Sequence, residues 1–364
     1  MKNLLNLIWV LLVAPPAIAF PEMVRHHYVN CSACHVSNSG GGLLNAYGRT
    51  ISSEVLSTWG SEKEARAFYA IDPEKVSEWL NVGGDARGIQ LHQDNAKSTS
   101  GRFIWMEANL QAAVTVKKVT GYASVGQVKQ ANQSLETNFT KYYLSYQQSD
   151  ELSFRLGRYV PIYGLNIPQH NFLVRQNLGL TPGSERDSAD VQWNGESWGI
   201  LAGVSKSRLD SAVRAEEAAM NLQLQYNLND QYKIGINYWY GEADTYSKIM
   251  MGAQAALGWS ENFYTLVQMD HVWKKDNTKD IETKSIFQLL KLGYEFHKGM
   301  HLQVVEEWGK TDTTSSSETQ IFGVGGIWYP RPHFEFETLW SKRRTLAQTD
   351  LFEDYAYLMF HFYF

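Results

Sequence analysis

Tyr355-Ala356-Tyr357-Leu358-Met359-Phe360-His361-Phe362-Tyr363-Phe364 closes the chain. On an extended backbone successive side chains point to opposite faces. Ala356, Leu358, Phe360, Phe362 and Phe364 therefore share one wholly apolar face. Tyr355, Tyr357, Met359, His361 and Tyr363 share the other, where every residue but Met359 carries a polar tip. A strand with one greasy row and one mixed row separates an apolar medium from a wetter one.

The same period recurs upstream. Met220, Leu222, Leu224, Tyr226 and Leu228 alternate with Asn221, Gln223, Gln225 and Asn227, and Ile234, Ile236, Tyr238 and Tyr240 alternate with Lys233, Gly235, Asn237 and Trp239. From Arg87 onward the pattern predicts about 16 such strands, an even number, as a closed barrel with both chain ends on one side requires. Alternate links are short, as at Asn229-Asp230, His297-Lys298-Gly299 and Pro330-Arg331-Pro332. The others are mostly longer and polar, including 275–283, 310–317 and 344–351. Short turns at one rim and longer loops at the other are the asymmetry of outer-membrane barrels. A soluble sandwich or propeller is the competing reading, and it supplies no reason for two alternating loop classes. The terminal Phe364, preceded by alternating apolar residues, resembles the C-terminal signature that marks outer-membrane proteins for barrel assembly.

Composition agrees. The 364 residues include 20 Tyr and 12 Trp, yet beyond residue 19 no apolar run reaches the length of about 18 that a membrane helix needs. The net charge of −5 leaves no basic footprint for nucleic acid. One loop stands apart, 161–186. It is far longer than the rest and too apolar for a solvated coil, with Ile162, Tyr163, Leu165, Ile167, Phe172, Leu173, Val174 and Leu178, and it carries His170 and Arg175. In porins, which this region resembles, the loop after strand five folds into the lumen, and the same is expected here.

The N-terminal quarter reads differently. Lys2, an apolar stretch over 4–14 and Ala17-Ile18-Ala19 make a signal peptide, so residues 1–19 are expected to be removed. Residues 20–84 follow as a small helical segment, and 85–364 as the barrel. Helices are expected over about 43–58, then from the Ser61/Glu64 capping box to about residue 70, and from Asp72-Pro73 to about 81, with Gly83-Gly84 as the break. Within the segment stands Cys31-Ser32-Ala33-Cys34-His35, the C-x-x-C-H pattern of covalent haem c attachment. Its thiols suit thioether bonds to the vinyl groups, and His35 suits the proximal iron position. These are the only two cysteines of the chain. A short-loop disulfide with His35 beside it by chance is the other reading of the same residues. For the distal iron position the candidates are His170 on the long loop, His27, His26 and Met23 upstream of the motif, and His92 on the first strand. A segment of some 65 residues has few apolar groups to cover a haem, so the barrel is expected to shield it, with the segment plugging or capping the lumen. No Ser-His-Asp set, phosphate-binding glycine loop or multi-histidine metal cluster stands out, and no catalytic residue is assigned.

The tandem of signal peptide, single-haem segment and barrel resembles the fused cytochrome–porins of bacterial outer membranes, whose Fe(II)-oxidising members are the best-known group. The resemblance is strongest over residues 31–49, where Leu44-Asn45-Ala46-Tyr47-Gly48-Arg49 is similar to an L-N-A-F-G-R element of that family. The run Arg25-His26-His27-Tyr28 departs from it. The resemblance implies an outer-membrane protein of a Gram-negative bacterium that passes electrons between an extracellular donor or acceptor and a periplasmic cytochrome or other carrier. As an activity this would be electron transfer, in its sharpest form Fe(II):cytochrome c oxidoreduction. The alternative is a diffusion porin with a tethered haem segment that senses or gates.

Overall fold

The structure, a computed structural model, describes residues 21–37, 40–61, 64, 79–95, 97–129, 135–208, 216–346 and 351–364. The expected signal peptide, most of the second helix and nearly all of the third lie outside the described residues.

Sixteen antiparallel strands close into one barrel. They are β1 (Leu80–Asn95), β2 (Ser98–Val116), β3 (Val119–Lys129), β4 (Leu135–Gln147), β5 (Leu152–Tyr159), β6 (Arg186–Asn194), β7 (Trp198–Lys206), β8 (Ala218–Asn229), β9 (Tyr232–Ala243), β10 (Tyr246–Gly258), β11 (Phe263–Asp276), β12 (Ile281–His297), β13 (Met300–Lys310), β14 (Glu318–Trp328), β15 (Phe334–Leu346) and β16 (Glu353–Tyr363). Each pairs with its neighbours in sequence, and β1 pairs with β16 to leave no edge. The alternation sorts as the sequence predicts. In β8, Met220 and Leu222 are exposed on the outer wall while Asn221 and Gln223 are buried inside. In β16, Leu358 is exposed outside while Tyr357 and Met359 are buried inside.

Two expectations need correction. The first strand begins at Leu80, well before the expected 87, and runs straight through Gly83-Gly84. These glycines serve close approach rather than a break. A Cβ on Gly84 would stand 2.5 Å from the Asn109 carbonyl oxygen and 2.8 Å from the Phe364 ring, so only glycine lets the final residue lie across the seam. There Gly84 and Phe364 exchange backbone hydrogen bonds of 3.1 and 3.0 Å. The loop asymmetry is also weaker than expected. Several connections on the long-loop rim are tight, such as 96–97, 244–245 and 277–280, because the strands extend beyond their expected ends.

The N-terminal segment sits at the short-turn rim. A 3-10 turn (Pro21–His26) packs against β10 and β11. Arg25, fully buried, donates from Nε to the Glu261 carbonyl at 2.9 Å and pairs with Glu295 at 2.5 Å. Thr58 and Trp59 donate to the carbonyls of Tyr329 and Pro330, in the β14–β15 turn. Helix is shorter than expected: α1 (Ala46–Ile51) continues into one wide π turn (Ser52–Leu56).

The long loop 160–185 folds inward and fills the barrel. Tyr163, Leu165, Ile167, Phe172, Leu173, Val174, Leu178 and Leu180 are buried and share one core with lumen residues that include Trp239, Met250, Tyr264, Leu266, Leu289, Val305 and Tyr357. Its backbone polar groups meet side chains of the wall. Gly164 N–H donates to Asn237 at 3.1 Å, Leu165 N–H donates to Gln268 at 2.7 Å, and Leu173 N–H donates to Glu307. Buried loop backbone is tolerable only with such partners. A short helix, α2 (Leu173–Gln176), packs against β11, β12 and β13.

Candidate functional site

Cys31–Ala33 form a single 3-10 turn, and His35 N–H donates back to the Cys31 carbonyl at 3.2 Å. Gly40, Gly41 and Gly42, all at positive φ, reverse the chain so that His35 pairs with Leu44 in an antiparallel bridge. The next residues lock this turn. Asn45 accepts from Gly48 N–H at 2.9 Å, which caps α1, and its amide donates to the Ala33 carbonyl at 2.6 Å. Gly48 lies on the motif backbone, where a Cβ would come within 2.2 Å of the Cys34 carbonyl oxygen. Arg49 donates to the Val82 carbonyl of β1 at 2.6 Å, tying the turn to the barrel wall. Asn45, Gly48 and Arg49 thus each have a packing duty beside the motif.

Cys34 and His35 are buried, and both line a cavity inside the barrel. The cavity is bounded by the motif and glycine reversal on one side and by Ile162, Ile167 and His170 of the inward loop on the other. Residues of β1–β5 and the end of β16 form the wall. Burial pushes the His35 imidazole down to about 4, against the opposing pull of the Gly42 backbone hydrogen bond. The ring is therefore neutral at physiological pH, the state in which imidazole binds a metal. Burial also lowers the pKa of His170, with Arg87 adding to the shift and Glu107 opposing it. Cys31 and Cys34 carry thiols rather than a disulfide, and burial pushes the Cys31 thiol up.

Cationic side chains reach the same cavity from the wall. Arg87 pairs with Glu107 at 3.2 Å. Arg155 pairs with Asp190 at 2.7 Å, donates to Ser37 Oγ just beyond the motif at 3.2 Å, and stacks its guanidinium 3.7 Å from the Tyr159 ring centre. Lys141 completes the set. Tyr122 and Tyr143, stacked with ring centres 4.6 Å apart, form a flat aromatic wall between them.

The sequence candidates separate cleanly. His170 lines the cavity with His35. Met23 does not line the cavity but is fully buried directly beside it, in a cluster with Cys34, Ile51, Leu56 and Tyr329, of which the first three line it. His27 is exposed in a left-handed turn, and His26 lies 3.8 Å from Glu295. His92 is exposed on the outer face of β1. His361 was not singled out from the sequence, yet it lines the cavity and its Nδ1 is 2.8 Å from Glu335. The signal was its place on the inner row of the last strand. Its carboxylate partner depends on the β15–β16 register, in which Glu335 and His361 are opposite.

Cys34, His35, His170, an aromatic wall and three wall cations share this cavity, while Cys31 lines the neighbouring one; residues of these kinds would hold a haem c.

No protein-family model and no curated protein matches the chain. Among solved structures it is similar to a loop L8 deletion mutant of OmpT, an outer-membrane protein of Vibrio cholerae, with a TM-score of 0.60 at 9% identity, covering 78% of this chain and 99% of that one. The anion-selective porin from Comamonas acidovorans gives 0.61 at 8%, covering 78% and 99%. The outer-membrane channel DcaP of Acinetobacter baumannii gives 0.58 at 12%, covering 78% and 97%. The fold is that of an outer-membrane porin-type barrel.

Proposed function

We propose that this chain is an outer-membrane barrel of the fused cytochrome–porin kind, which carries one covalent haem c within its lumen and passes electrons between an extracellular donor or acceptor and a periplasmic carrier. One observation carries the reading: Cys34 and His35 of the motif and His170 of the inward loop line one cavity inside the barrel. The haem would supply a one-electron Fe(III)/Fe(II) couple.

The residues have separable duties. Cys31 and Cys34 would hold the group through thioethers, and His35 would ligate the iron from the proximal side. His170 is the distal candidate that shares the cavity. Arg87, Lys141 and Arg155 offer positive charge to carboxylates, and Arg155 also holds the loop after the motif through Ser37. The inward loop excludes water with its apolar side chains. The rim that holds the N-terminal segment carries the short turns, which in such barrels face the periplasm. A periplasmic carrier would therefore meet the segment directly, and an outer partner would approach from the far side of the loop. Fe(II) as the outer donor is the sharpest form of the proposal.

The test is optical. In the full-length protein purified from outer membranes, a covalent c-type spectrum with a low-spin iron is expected. His170→Ala should convert it to a high-spin or weak-ligand form that added imidazole restores. A low-spin spectrum unchanged in His170→Ala removes this residue from the site, and a protein that carries no covalent haem ends the proposal.

A second reading, a diffusion porin whose haem segment senses or gates, is favoured by the shared fold with solved channels. The two readings differ in conductance. Large steady currents in planar bilayers support the channel, and a silent bilayer with electron delivery to a dye trapped inside liposomes supports the relay.

A further inference from the structure

A second cavity lies on the opposite side of Pro168-Gln169-His170, toward the long-loop rim, and shares Arg87, Pro168 and His170 with the first. It has a volume of about 140 Å³. Its walls are largely apolar: Ile89 and Leu91 of β1, Ile104 and Met106 of β2, and Tyr357 and Met359 of β16. Ile104 and Met106 are only partly buried, so the cavity has an accessible side.

Two polar atoms in its walls are buried without a partner among the described residues. Gln169, 6% exposed, donates from Nε2 to Glu337 at 3.1 Å, which leaves Oε1 as an unused acceptor. Arg87 pairs with Glu107 through its NH1 nitrogen, which leaves Nε–H as an unused donor. Leaving such a group unsatisfied costs on the order of 1–3 kcal/mol; Arg87 borders both cavities, whereas Gln169 lines this one alone, so a ligand that supplies a donor to Gln169 Oε1 is favoured there. An apolar cavity of roughly 150 Å³ holds a single six-membered carbon ring.

We infer that this cavity is a binding site for a one-ring phenol or hydroquinone. The ring fills the apolar walls, and one hydroxyl donates to Gln169 Oε1. An acid of similar size is disfavoured because Glu335 and Glu337 line the site. The site borders the proposed haem cavity through Arg87 and His170, but its ligand contact, Gln169, is not among the haem residues.

Phenol and benzene are the probes. Calorimetric titration of the full-length protein in detergent is expected to show saturable binding of phenol, with benzene about tenfold weaker, the value of one satisfied buried hydrogen bond. Gln169→Leu should bring phenol down to the benzene level and leave benzene unchanged. Leu91→Trp or Ile104→Trp, which fill the cavity from the barrel wall, should abolish both. Heat-modifiable gel mobility confirms that each variant has folded. Absence of saturable phenol binding, equal affinity for the two probes, or undiminished binding in both tryptophan variants would overturn the inference.

Discussion

At the residue scale the motif is the part most legible in sequence. C-x-x-C-H is the pattern on which the haem proposal rests, and Cys34 and His35 are buried against a lumen cavity. Cys31→Ala with Cys34→Ala is expected to abolish covalent haem on stained gels while leaving the folded, heat-modifiable barrel, because neither thiol belongs to a strand. Arg155 stands on the inner row of β5. Its role depends on three contacts from different parts of the chain: Asp190, Ser37 and Tyr159. Arg155→Ala strands a buried Asp190, and breaking such a pair costs about 3–5 kcal/mol. Urea unfolding should register the loss, and Arg155→Met combined with Asp190→Leu should recover most of it. Full stability in Arg155→Ala alone would show that water reaches the pair. The choice among distal candidates was not legible. Sequence leaves His170, His27 and Met23 all open, and the folding of the loop is what brings His170 to the cavity that His35 lines.

At the element scale, alternation was a sound guide wherever lipid and lumen impose opposite chemistry on the two faces of a strand. It failed where glycine interrupts it. Gly83-Gly84 carries no side chain to register on either face, so a continuous strand looked like a boundary. The structural reason for those glycines is the arrival of Phe364 at the seam. Gly84→Val should therefore slow barrel closure and raise the fraction that migrates as unfolded on unheated gels, whereas Gly101→Val is expected to change little, since no heavy atom lies closer than 3.7 Å to its Cβ position. The segment 44–49 follows the same logic. Gly48→Val would drive a side chain into the Cys34 carbonyl, so the motif turn should detach from α1 even though no ligand has changed. Reduced haem loading with normal barrel mobility is the expected result.

At the scale of the whole molecule, the deciding feature is that the lumen is packed. The loop's apolar residues join the wall's own into one core, and its backbone is held by Asn237, Gln268 and Glu307 from three strands. The length and greasiness of the loop announced an inward fold, but the wall residues that receive it, spread over β9, β11 and β13, could be matched to it only in three dimensions. Phe172 and Val174 of the loop and Leu266 and Leu289 of the wall belong to that core, and packed apolar side chains leave water no polar partners. Single-channel recording is therefore expected to find little or no steady conductance in the intact protein. Replacing Leu173 and Val174 with serine should loosen the plug and produce open events, because each hydroxyl loses apolar burial worth roughly 1.5–3 kcal/mol per side chain. Large currents from the unaltered chain would mean that the loop swings out of the lumen in the membrane, and the cavity shared by His35 and His170 would then exist only in the closed state.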